Sequence, residues 1–144
     1  MSWIDNSCNT FEEVFSLREN LYRYYQSFAQ VFVSEGLLEE RLMQLCQQRC
    51  EQLHRSGHRV AGLDQELVEV LPQWYNSPLF SPLEKAALQL AECFCLDPHS
   101  ISDAMTDAVI AHSSDAGLVA LLEYLALCDG FARFRVLLVT EEAA

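Results

Sequence analysis

Residues 46–58 read CQQRCEQLHRSGH, with Cys46, Cys50, His54 and His58 each four positions apart. A four-residue step on an ideal helix turns about 400°, so the row drifts by only about 40° per residue and keeps to one side. The same geometry limits its chemistry. Cys46 and His58 would stand about 18 Å apart along the axis, so a straight helix cannot gather all four around one ion. Adjacent pairs could each offer two ligands, but no signature links them to His99, His112 or a carboxylate, and no metal site is expected. Nor do Cys46 and Cys50 suit a disulfide. Their β-carbons would be about 5–6 Å apart, where a disulfide wants roughly 3.5–4.5 Å. The stretch reads as a helix side packed into a core, and that reading sets the fold class.

Outward from it, apolar residues recur at three- and four-residue spacing, with only five glycines and four prolines as punctuation. The pattern predicts an all-α chain of about six helices. Thr10 and Glu13 form a capping box before a first helix whose broad apolar face holds Phe11, Val14, Phe15, Leu17, Leu21, Tyr24, Tyr25, Phe28 and Phe32, ending near Gly36. A second helix starts around Glu39 and weakens at Ser56-Gly57. A third runs from about Asp64 until Pro72 stops it. The fourth has the clearest start, Ser81-Pro82 with Glu84, and closes at Asp97-Pro98. Ser102 caps a fifth through DAMTDAVIAH. The segment DAGLVALLEYLALCDGFARFRVLLV, apolar on most sides, should be the central helix, with Gly130 the place for a bend.

Length and charge bound the function. A chain of 144 residues suits one domain, 1–144, able to bury roughly two thirds of its unfolded surface. No stretch is long and apolar enough to span a bilayer, and the start lacks a signal-peptide pattern. A cytoplasmic location is the expectation. Twenty-one acidic against nine basic residues give a formal charge of −12, which opposes nucleic acid and anionic membrane surfaces as partners. The six cysteines read as reduced thiols, mostly buried.

Cys50 is the thiol with reactive potential, since His54 one turn later and Arg49 beside it could lower its pKa. Cys50, His54 and His58 are therefore the candidate catalytic residues, as nucleophile, acid or base. Cys93 and Cys95, two apart, fall on different sides of the fourth helix and read as packing residues. His112 suits the negative end of the fifth helix. WYNSPLF (74–80) reads as core, with a pocket or subunit contact as its functional alternative. Arg133 reads as pairing with an acid such as Asp129, lying at an interface or binding an acidic ligand.

Residues 36–138 resemble carboxymuconolactone decarboxylase-like and AhpD-like (alkylhydroperoxidase) proteins. The resemblance rests on SPLF, EKAAL, DPHSISD and AHSSDAGLVAL in that order, with GLLEERLMQLCQQRCEQLH upstream as the helix leading into the redox motif. It implies an AhpD-like helical domain, a homo-oligomer built on helical interfaces, and antioxidant or decarboxylase-type chemistry on a small molecule, with no cofactor. Peroxidase members carry Cys-x-x-Cys there, one thiolate attacking the peroxide and the other resolving it. This chain contains none. Anchored on LLEERLMQ, Gln44 takes the family's acid position, and Ser56 and Arg59 its two cysteines. Anchored on Cys50, His54 and Gly62, Cys50 is the attacking cysteine, Glu35 the acid and Gln47 replaces the first cysteine. The second register puts Glu39 and Arg41 where the helix should be apolar, which favours the first. Either way the resemblance implies a divergent member unable to run the dithiol cycle, whether an enzyme using a lone Cys or His or a catalytically silent oligomeric binding protein. Residues 1–35, the aromatic first helix, are the expected oligomer contact.

Overall fold

The computed structural model describes Ile4 and residues 7–139. The ends of the expected 1–144 domain lie outside the described residues. The helices are α1 (Phe11–Phe15), α2 (Glu19–Glu35), α3 (Glu40–His54), α4 (Gln65–Val70), α5 (Pro82–Leu96), α6 (Asp103–His112) and α7 (Asp115–Leu138), with no strand among the described residues. The expected all-α architecture is thus observed.

Hydroxyl side chains start α1, α5, α6 and α7 because they satisfy amide groups that have no partner one turn back. Thr10 accepts from Glu13 N–H at 3.2 Å and Ser114 from Gly117 N–H at 2.9 Å. Ser102 accepts from Met105 N–H at 3.4 Å. At α5 the box closes both ways, Ser81 accepting from Glu84 N–H at 3.1 Å and the Glu84 carboxylate from Ser81 N–H at 2.8 Å. Gly36, at φ +73°, ends α2 in the left-handed region.

The expected first helix is divided. A 3-10 turn at Ser16–Arg18 separates α1 from α2. The break lets Phe15 stack on Phe131 of α7 at 5.1 Å, while Phe32, near the far end of α2, meets Tyr124 at 5.2 Å. The broad apolar face is divided too: Val14, Phe15 and Phe32 are buried, whereas Leu17, Leu21, Tyr24 and Phe28 are exposed.

Helix α3 lies against α7 and α5, and α6 closes the bundle over α5 and α7. One core cluster runs from Phe32 through Leu42, Cys46 and Cys50 to Leu90, Leu121 and Leu125; a second joins Leu45 and Leu88 to Leu71 and Phe80 under the 56–80 connection. The segment 115–138 is one continuous helix through Gly130. It packs on α1, α3, α5 and α6, yet Val119, Val136 and Leu137 stay exposed, so it is less enclosed than its apolarity predicts. WYNSPLF buries Phe80 and leaves Tyr75 exposed, while Trp74 Nε1 donates to Glu92 at 2.7 Å.

Candidate functional site

The row that opened the sequence reading is helical only as far as His54. Arg55 then takes φ +56° and Gly57 φ +79°, turning the chain out of the helix, so His58 leaves the side shared by Cys46, Cys50 and His54. Cys46 and Cys50 have no solvent exposure. His54, one turn on, reaches the edge of the core, where its Nε2 meets Asp129 Oδ1 of α7 at 2.5 Å. Asp129 Oδ2 in turn accepts from Arg133 Nε at 3.3 Å, so Arg133 does pair with the acid one turn before it.

Cys50 and His54 converge on a residue the sequence reading assigned to packing alone. Cys95 Sγ lies 3.4 Å from Cys50 Sγ, and it falls within 4.8 Å of both the His54 nitrogen and the Asp129 oxygen. No local spacing could have revealed this, because Cys95 is forty-five residues from Cys50 and its neighbour Cys93 turns instead toward Met105. His58 belongs elsewhere. It lines an open cleft with Arg49, Gln52, Arg59, Val68 and Pro72, its carbonyl accepting from Gln48 Nε2 at 3.1 Å and its N–H donating to Ser56 Oγ at 3.1 Å. The three candidate catalytic residues therefore do not share one cavity among the described residues.

Three of the core thiols, Cys46, Cys50 and Cys128, are held protonated. Desolvation, helped by Cys95 and Glu84 nearby, pushes Cys46 up to about 12. The hydrogen bond with Cys95, and then burial, raises Cys50 far above the ordinary thiol range. Cys128 also rises, chiefly by burial. Arg49, expected to help ionise Cys50, is committed to Glu92 at 2.9 Å.

Polar residues of α3 fasten the 56–68 connection, where one register places the family's cysteines. Gln48 Oε1 accepts from Val60 N–H at 2.8 Å and Gln52 Nε2 donates to the Val68 carbonyl at 2.9 Å. Ser56 donates to Glu51, and Arg59 donates to the Leu63 carbonyl at 2.8 Å. Glu51, only 1% exposed, also binds Arg135 Nη1 at 2.6 Å, and the Arg135 guanidinium stacks 4.1 Å from the Phe11 ring centre. This buried ion pair joins residues eighty-four apart and was not visible from either one.

A cavity of about 250 Å³ lies between α2 and the α3/α7 pair, lined by Tyr25, Met43, Tyr124, Leu127, Phe131 and Arg135. No helix among the described residues is long and apolar enough to cross a membrane.

Among solved structures the chain superposes on an Agrobacterium tumefaciens protein of unknown function, provisionally assigned to AhpD antioxidant defence, with a TM-score of 0.74 over 85% of this chain and 90% of that one. The fold is AhpD-like. At 18% identity the likeness carries the fold and nothing finer. Over 106 residues, 71% of this chain, the sequence is 32% identical to the uncharacterised protein YnjA of Escherichia coli K12. The match spans 57% of the length of YnjA. No protein-family profile matches the chain. The AhpD-like architecture thus sets α3, α5 and α7 around a mixed cluster of two thiols, an imidazole and a carboxylate.

Proposed function

We propose that the chain is a divergent AhpD-like, carboxymuconolactone decarboxylase-like protein that shares an antioxidant-related fold without running the dithiol alkylhydroperoxidase cycle, and that it acts as an oligomeric binding protein. The sealing of Cys50 carries this reading. A thiol with no exposure, held protonated by burial and a sulfur neighbour, is a poor nucleophile toward an external peroxide. At the favoured register Ser56 and Arg59 stand where cysteines would, and both are committed to hydrogen bonds.

The binding role takes a small, largely apolar molecule in the cavity beneath α2. The oligomer forms through the α2 face, where exposed Leu21, Tyr24, Phe28 and Val31 follow a three-four-three spacing. That spacing is the seam of a helix pair, and a second copy of the same helix supplies the matching seam.

One observation favours a second reading, a divergent enzyme using Cys50 and His54. The 3.4 Å approach of Cys95 supplies Cys50 with a partner sulfur that no Cys-x-x-Cys provides. Hydroperoxide consumption with a dithiol reductant separates the two. Binding-protein behaviour leaves consumption at buffer background. Consumption above it that disappears in both Cys50→Ser and His54→Ala establishes the enzyme instead.

A further inference from the structure

His54, Cys95 and Asp129 come from three helices, α3, α5 and α7, and present a nitrogen, a sulfur and an oxygen that all lie within 4.8 Å of one another. A zinc ion sits about 2.0–2.1 Å from nitrogen, about 2.3 Å from sulfur and about 2.0–2.2 Å from carboxylate oxygen, which sets tetrahedral ligand atoms about 3.2–3.8 Å apart. The observed spacing brackets those edges. The imidazole and carboxylate, at 2.5 Å, would part slightly to admit an ion, and a separation at the outer limit would close by about 1 Å. We propose that His54, Cys95 and Asp129 form a binding site for a divalent transition metal of the zinc class, with one coordination position left open.

The donor set fits that class. Thiolate with imidazole selects zinc and its neighbours over calcium or magnesium, and a single carboxylate completes a mixed site of borderline softness. The surrounding groups fit as well. Arg133 Nε binds Asp129 Oδ2 at 3.3 Å, which orients the carboxylate and leaves Oδ1 directed at His54. Cys50, 3.4 Å from Cys95, can donate its S–H to a coordinated thiolate, the kind of outer contact that fixes a metal ligand. Cys50 then serves Cys95 as a hydrogen-bond donor and not as a disulfide partner.

Access is available on one side. A shallow pocket of about 280 Å³, lined by His54, Arg133, Val136 and Leu137, opens at the imidazole, and the side chains of His54 and Asp129 are 13% and 19% exposed. The net charge of −12 attracts cations. Three protein ligands with an open fourth position is the arrangement of zinc sites that also bind a water or a substrate atom. The site goes beyond the binding role proposed above and stands without it.

Cobalt(II) is the probe, because a thiolate ligand gives it a near-ultraviolet charge-transfer band that oxygen and nitrogen ligands do not. The reduced full chain is titrated with cobalt(II) under anaerobic conditions and then with zinc. We expect one equivalent per chain, the sulfur band present and zinc displacing it. Cys95→Ser should abolish the band, His54→Ala and Asp129→Asn should each weaken binding at least about tenfold, and Cys50→Ser should keep the band. Each variant is compared with wild type by circular dichroism. As a readout independent of any variant's folding, zinc should raise the wild-type melting temperature, and a chelator should reverse the rise. No sulfur band at saturating cobalt, a band that survives Cys95→Ser, or a melting temperature unmoved by zinc overturns the site.

Discussion

Glu51 and Arg135 show how a single residue can matter in a way its neighbours do not announce. Their 2.6 Å contact is enclosed by α3 and α7, with side-chain exposures of 1% and 7%. Removing one partner leaves the other charge buried, whereas replacing both with apolar groups removes the desolvation cost together with the attraction. Glu51→Ala should lower the unfolding free energy by about 3–5 kcal/mol in urea titrations. Glu51→Leu combined with Arg135→Met should recover most of that loss. Arg133, two residues earlier on α7, is largely exposed, and its bond to Asp129 is an i,i+4 surface pair. Arg133→Ala should change stability by less than about 1 kcal/mol, measured the same way. Both arginines stand on a largely apolar helix, but only three-dimensional packing tells the enclosed one from the exposed one.

The helices themselves were largely legible, because their signals are local. Thr10, Ser81, Ser102 and Gly36 act within one turn of where they stand, and each ends or begins a helix as its chemistry requires. The break at Ser16–Arg18 was not legible, since it depends on Phe11 and Phe15 finding Phe131 and Phe134 more than a hundred residues away. The candidate site divided in the same way. Cys50 and His54 share a helix side as their spacing requires, His58 was lost to the left-handed turn at Arg55, and Cys95 came in from α5. At this scale the α2 face makes its own prediction. Tyr24 is 72% exposed and Phe28 45%, so Tyr24→Lys with Phe28→Lys should keep the helical circular-dichroism signal while reducing the mass measured by light scattering to that of one chain. An unchanged oligomer would place the contact elsewhere.

For the whole molecule, the AhpD-like bundle buries Cys46, Cys50, Cys95 and Cys128, and this has a consequence for alkaline stability. Cys46 keeps its proton up to about pH 12 when folded, against an ordinary value of 9.0. Below about 9 both states hold the proton and nothing changes; above it the unfolded chain loses a proton that the folded chain retains, so unfolding gains and stability falls. Tyr124, raised by burial and by Cys128, acts in the same direction. Denaturation midpoints should drop between about pH 9 and about pH 12, and less steeply in Cys46→Val. The same enclosure underlies the proposed function. Cys50 has no solvent exposure, lies beside Cys95 and lines none of the cavities described above, in a chain that has no Cys-x-x-Cys. The most direct test treats the reduced native protein with an equivalent of organic hydroperoxide and maps its cysteines by mass spectrometry. Cys50 and Cys95 should be recovered as free thiols on the timescale of enzymatic turnover. A Cys50–Cys95 disulfide that forms on that timescale, and that a dithiol then reverses, would contradict the account.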